Sequence, residues 1–211
     1  MKSPPKNIAA SVRDRLKALA VQQGENFDLV LVRYGIERLL YRLSLSPLRS
    51  QFVLKGATLF RVWDGAIHRE TRDLDLAGFG DSSVEALIQS FRTICAVQVP
   101  DDGLAFLDVH GEPLQMLEDY GGVRLTVLGK LTAARINIQV DVGFGNRITP
   151  AAKEIEFPTL LDFPAPILRA YPAETVVAEK LQALVDLGFR NSRLKDYFDL
   201  WHIGRNVRFD G

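Results

Sequence analysis

The chain has 211 residues, 47% of them apolar, and its 26 basic and 26 acidic side chains cancel to no formal charge. That supplies core for one large domain or two small lobes, and it excludes a global field that would draw in polyanions, so such a partner has to be met by a local patch. The lone cysteine, Cys95, excludes an internal disulfide framework and a multi-cysteine metal site; "MKSPPKNIAA" lacks the apolar segment of a signal peptide, and no apolar run approaches the roughly 20 residues that span a bilayer, so a cytoplasmic protein without a membrane partner is expected.

After a flexible lead-in, residues 8 to 45 read as two helices. "IAASVRDRLKALAVQQG" carries Ile8, Val12, Leu16, Leu19 and Ala20 on one stripe and stops at Gly24. Asn26 is placed to cap "FDLVLVRYGIERLLYRLSL", which Ser46-Pro47 closes. "FVLKGATLFRVWDG" suggests a short strand, then a helix opening near Gly56 and ending at Asp64-Gly65. "TRDLDLAGF" alternates as a strand. Ser82 and Glu85 form a capping-box signature for a helix over 84–95, whose pattern makes Cys95 core filler. Strands are expected around 104–109, 122–129 and 134–142. "IEFPTLLDFPAPILRAYP" is broken by proline and reads as an extended connector. Two helices close the chain: "AETVVAEKLQALVDLG", ending at Gly188, and "RLKDYFDLWHIG", with Asn191 or Ser192 as its cap. The outline is a helical N-terminal section (1–50), a mixed α/β centre (51–150), and a connector with a helical C-terminal section (151–211).

Chemistry concentrates in the centre. On the strand "TRDLDLAGF", Leu74 and Leu76 take one face while Asp73 and Asp75 share the other, about 7 Å apart. Neighbouring carboxylates repel unless a cation or donors compensate, and magnesium, a hard ion taking oxygen ligands, is the natural compensator. In "ARINIQVDVGFG" the alternation puts Ile136, Ile138, Val140 and Val142 on one face and Arg135, Asn137, Gln139 and Asp141 on the other. If this strand lies beside the first, three carboxylates converge, as a site for two metal ions about 3.5–4 Å apart requires. Upstream, "LKGATLF" places Gly56 where strand gives way to helix, with Thr58 in the first turn, a position whose free N–H groups attract phosphate. "KGAT" is not a Walker loop.

The ordered set "LKGATLF…RETRDLDL…INIQVDVGFG" resembles the nucleotidyltransferase fold shared with DNA polymerase β. The chain as a whole, including "YPAETVVAEKLQALVDLG" and "NSRLKDYFDLWHI", resembles the AbiEii/AbiGii-type toxin nucleotidyltransferases of bacterial toxin–antitoxin and phage-defence systems. The resemblance implies a polymerase-β-like α/β core with a mixed sheet flanked by helices. It implies transfer of NMP from an NTP to an acceptor hydroxyl, with two Mg2+ ions, a tRNA 3′ end as acceptor and a cognate antitoxin as partner. Carried over residue by residue, Asp73, Asp75 and Asp141 would ligate magnesium, Gly56 and Thr58 would bind phosphate, Lys180 would steady the triphosphate, and Asp196 would be the later family acid. Lys55 and Arg72 stand beside the site as further phosphate contacts. Relatives often have Gly-Gly or Gly-Ser where this chain has Gly56-Ala57-Thr58, and they tend to continue past "RNVRFDG" into further helices, so a truncated chain or a short member is expected. Alternatives are nucleotidylation of a protein or small molecule, and a non-catalytic nucleotide-binding interaction module.

The remaining charged and aromatic residues read more plainly. Asp199 can pair with Lys195 at i,i+4 on an exposed helix face, a reading that also stays open for Asp196. His68, His110 and His202 lack metal-ligand spacing. Trp63 and Trp201 are expected in core or inter-lobe contacts. Arg13, Arg15, Lys17, Arg33, Arg38, Arg42 and Arg49 make the N-terminal helices basic, a solvated face or a track for RNA.

Overall fold

The computed structural model describes residues 7–64, 71–114, 121–145, 147–188 and 194–209. Helices α1 (Ile8–Gln23) and α2 (Phe27–Leu45) lead into strand β1 (Phe52–Lys55), a single 3-10 turn (Ala57–Leu59) and the short helix α3 (Phe60–Asp64). Then follow β2 (Asp73–Gly78), α4 (Val84–Cys95), β3 (Leu104–Leu114), β4 (Gly122–Leu131), β5 (Ala134–Gly143), β6 (Lys153–Glu156), β7 (Ile167–Ala170), α5 (Ala173–Leu187) and α6 (Leu194–Asn206).

Local chemistry explains the helix limits. Asn7, Asn26 and Ser83 each accept a backbone N–H at the start of α1, α2 and α4, and Gly24 ends α1 in the left-handed conformation at φ 65°. The cap of α4 is thus Ser83, one residue later than the expected Ser82. His68, Gly65 and the expected caps Asn191 and Ser192 lie outside the described residues.

The seven strands form one mixed sheet in the order β3-β4-β5-β2-β1-β7-β6. β2 runs parallel to β5 and antiparallel to β1, and β4 is antiparallel to both β3 and β5. The stretch expected to be only a connector holds β7 and the end of β6: β7 pairs parallel with β1, and β6 pairs antiparallel with β7. The apolar residues of β2 and β5 share one continuous core with Val30, Tyr34 and Leu39 of α2 and Leu16 of α1. Gly35 permits the close approach of α2, because a Cβ there would stand 2.7 Å from Cδ1 of Ile138. Helices therefore cover the face bearing Leu74, Leu76, Ile138 and Val140, and the polar side chains of β2 and β5 are left to the other face.

The basic residues of α2 are not a solvated face. Arg33, Arg38 and Arg42 are buried, paired with Glu25, Glu37 and Asp102 respectively. Arg42 forks onto both Asp102 oxygens at 2.8 and 3.2 Å, and Glu37 Oε2 accepts the Leu160 N–H at 2.6 Å, which ties the segment after β6 to α2. Buried guanidinium groups persist only with such partners, so these arginines hold the fold together and leave no cationic track on α2. Trp63 packs against Phe60 beside the core, whereas Trp201 is half exposed on α6. Cys95 sits against the core, and burial pushes its thiol up to about 12, as suits a packing residue.

Candidate functional site

The parallel pairing of β2 and β5 sets Asp75 directly beside Asp141 and Asp73 beside Gln139. Because register partners point to the same side of a sheet and strands lie about 4.8 Å apart, Asp73, Asp75 and Asp141 occupy one patch on the face away from α2. The same register continues outward. Lys55 of β1 is opposite Asp75, Arg124 of β4 is opposite Asp141, and Glu112 of β3 is opposite Arg124. A single row across five strands therefore reads Glu112, Arg124, Asp141, Asp75, Lys55.

This row decides the electrostatics. Burial, with the like charges of Asp141 and Asp73 against the opposing Lys55 and Lys195, pushes the Asp75 carboxyl up to about 6 from an ordinary 3.8. Asp141 is differently placed: both its oxygens accept hydrogen bonds from Arg124, from Nε and from Nη2, each at 2.8 Å. That fork raises the Arg124 guanidinium above its ordinary range.

Gly56 forms the floor beside Asp75. Its backbone, at φ 72° and ψ −162°, brings the chain so close that a Cβ would meet Asp75 Oδ2 at 2.1 Å. The turn that follows is one 3-10 turn before α3, so the expected helix opens four residues after Gly56. Thr58 is buried, and its hydroxyl makes a long contact, 3.4 Å, with the carbonyl of Asp73. Lys55 reaches Glu179 of α5 at 3.4 Å, and Glu179 in turn accepts from the Tyr171 hydroxyl at 3.0 Å. Arg72 is exposed at the head of β2.

Lys180 belongs to a second cluster. Its Nζ lies 2.8 Å from Asp196 Oδ1 and 2.8 Å from Asp199 Oδ2, and both aspartates are almost wholly buried. The exposed face expected for Asp199, and open for Asp196, is thus corrected: α6 turns both inward against α5, and Lys180 takes the place expected of Lys195. The Asp199–Lys195 spacing was a local possibility that a contact between helices outweighs. Lys195, freed from that role, acts on Asp75 instead. Arg124, Lys195 and Glu179 are the site's neighbours that sequence reading missed. Arg124 carried a usable signal, since it takes the polar phase of a strand expected from its alternation.

Among the described residues, no three His, Cys, Asp or Glu side chains are gathered closely enough to hold a metal as they stand. Asp141 is turned onto Arg124. Even so, the donor set fits a hard divalent cation: three carboxylates gathered on one face of adjacent strands, one of them with its pKa raised by burial and then by its like-charged neighbours, whose repulsion a cation would offset.

Comparison with known proteins bears on the same residues. A family profile described as "Nucleotidyl transferase AbiEii toxin, Type IV TA system" matches residues 38–210, which include the whole patch. The chain belongs to this family. Among solved structures, it is similar to JHP933 from Helicobacter pylori, at 18% identity and a TM-score of 0.52, covering 81% of this chain and 63% of that one. A second H. pylori protein, provisionally named a nucleotidyltransferase, matches at 18% identity and a TM-score of 0.53, covering 81% and 65%. This chain thus spans less than two thirds of the length of the solved structures it matches. At that identity the likeness speaks for the fold, and the mixed α/β architecture with a mixed sheet agrees with the expected one. A search of the curated proteins returns no match. No helix among the described residues is long and apolar enough to cross a membrane.

Proposed function

We propose that this chain transfers a nucleotidyl group from an NTP to an acceptor hydroxyl, as the toxin of a toxin–antitoxin pair restrained by a cognate antitoxin. The observation that carries the reading is the register of β2 against β5, which brings Asp141 beside Asp75 and Asp73 in a chain whose family is named for this activity. In the reaction, the acceptor oxygen attacks the α-phosphorus, the bond to the β-phosphate's bridging oxygen breaks, and pyrophosphate leaves with that electron pair. Asp73, Asp75 and Asp141 would hold magnesium, which when bound supplies positive charge to the phosphates and lowers the acceptor hydroxyl's pKa.

The chain's own groups do the rest. The Asp141 carboxylate takes the acceptor hydroxyl's proton. The turn at Gly56 brings backbone close to Asp75, so a triphosphate can approach the N–H groups that follow, and Lys55 and Arg72 add positive charge on that flank. Thr58 supports this turn through Asp73, and Lys180 acts from the paired cluster on α5. The acceptor we infer is a tRNA 3′ end, by family likeness.

Four α-labelled NTPs, each incubated with total tRNA and with total protein in Mg2+, test the reading. Label is expected on tRNA, and it should vanish in the Asp73→Ala, Asp75→Ala double variant. Label on protein alone removes the RNA acceptor, and undiminished labelling by the double variant removes the site.

A further inference from the structure

Arg124 occupies both oxygens of a carboxylate that a bound cation would need. Two other pairings in the protein are built to last. Arg42–Asp102 and the Lys180 cluster are buried, and α2 or α6 closes over them. The Arg124–Asp141 pair is different, because the Arg124 side chain is 36% exposed against 19% for Asp141. A guanidinium so open to water replaces part of the pair's hydrogen bonding by hydration, so even a forked pair can be exchanged at modest cost. It also has somewhere to go. Its other register neighbour is Glu112 of β3, an exposed acid on the side away from Asp141.

We propose that Arg124 is a positioning residue with two partners: it holds Asp141 off the cation site, and when a divalent cation claims Asp141 it transfers to Glu112. Cation binding then requires an exchange of one ion pair for another, and Glu112 sets how readily the exchange proceeds. The arrangement gives the empty patch a neutralised Asp141, which limits repulsion with Asp75, and it gives the loaded patch a free carboxylate at the correct register position. The inference rests on the metal reading of the three aspartates, and the experiment separates the two.

Mn2+ binding to the full chain without nucleotide is measured by electron paramagnetic resonance for the wild type and for Arg124→Gln, Arg124→Lys, Glu112→Gln and the Arg124→Gln, Glu112→Gln double variant. The Asp73→Asn, Asp75→Asn variant is the reference, and thermal melts confirm folding. Arg124→Gln should bind Mn2+ about fivefold more tightly, the equivalent of a weak, partly exposed pair. Arg124→Lys keeps the charge but cannot fork both oxygens, so it should tighten binding by less, about twofold. Glu112→Gln should weaken binding about twofold, and should have no effect once Arg124 is absent. If Arg124→Lys binds as the wild type does, or Glu112→Gln acts equally in both backgrounds, only summed charge is at work and the two-partner exchange is wrong. Wild-type binding that the Asp73, Asp75 variant abolishes but Arg124→Gln leaves unchanged removes the exchange alone. Absence of Mn2+ binding in every form removes the metal reading and the exchange with it.

Discussion

Gly56→Ala tests whether the site's geometry depends on backbone reaching Asp75. The residue sits at φ 72° and ψ −162°, a region essentially reserved for glycine, where another residue costs about 1–3 kcal/mol. The added methyl would also stand 2.1, 2.6 and 2.7 Å from Oδ2, Cγ and Cβ of Asp75, so either the carboxylate or β1 has to move, for about another 1–3 kcal/mol. Together these predict a loss of roughly 2–6 kcal/mol and, for a chain of this length, a Tm lower by about 5–20 °C. Gly24→Ala is the comparator: its φ is 65° but nothing lies within 4 Å of the place its methyl would take, so it carries backbone strain without a clash. Circular dichroism melts of both variants, with NTP labelling of acceptor, read the outcome. Gly56→Ala should melt below Gly24→Ala and lose transfer. If the two melt together and Gly56→Ala still labels, the approach of backbone to Asp75 contributes nothing to the site.

Three further outcomes are expected. Asp75 binds its proton more tightly in the folded chain than in the unfolded one, so stability present below pH 4 should fall as pH rises through about 6; Asp75→Asn should melt higher than the wild type at pH 7.5, by on the order of 1–2 kcal/mol, and equally at pH 3.5, as urea titrations at the two pH values will show. Asp102→Ala leaves Arg42 buried with its carboxylate gone, and denaturant melts should show a loss of about 3–5 kcal/mol; a loss under about 1 kcal/mol would mean that the α2 arginines are not structural. Lys180→Ala removes the cation that Asp196 and Asp199 share, so it should lower Tm by about 6–15 °C at pH 7.5; an unchanged melt with lost transfer would instead assign Lys180 wholly to catalysis.

The sheet face bearing the acids was legible because strand alternation is local. Asp73 and Asp75 had to share a side, and Asp141 had to oppose the stripe of Ile136, Ile138, Val140 and Val142, whatever the partner strands were. The helices were legible for a like reason, through capping and stop residues within a few positions of each end. What escaped were contacts set by tertiary packing. β6 and β7 are four residues each, at the start of and within a proline-broken stretch, and β7 becomes a strand on the edge that β1 offers while β6 adds to β7. Arg42 finds its partner 60 residues away and Arg38 finds the Pro164 carbonyl 126 residues away, so counting cations along α2 could not separate a surface track from a buried network. The inward turn of Asp196 and Asp199 likewise depends on where α5 lies, which no helical spacing within α6 specifies.

Setting the acids on strands fixes their separations by hydrogen-bonded register, but it also prevents them from relaxing apart. The row has one more acid than base and Asp73 adds another, so Asp75, whose pKa is raised first by burial, also bears the like charges of Asp141 and Asp73. Lys55 and Arg124, the two bases of the row, limit that cost without removing it. A row serving only the fold would gain from a neutral residue at 75, since its position opposite Lys55 and Asp141 offers no hydrogen bond that asparagine could not also make. Under the proposed function the carboxylate is a stability cost carried for chemistry, and a variant at 75 that is both more stable and inactive is the combination that function requires.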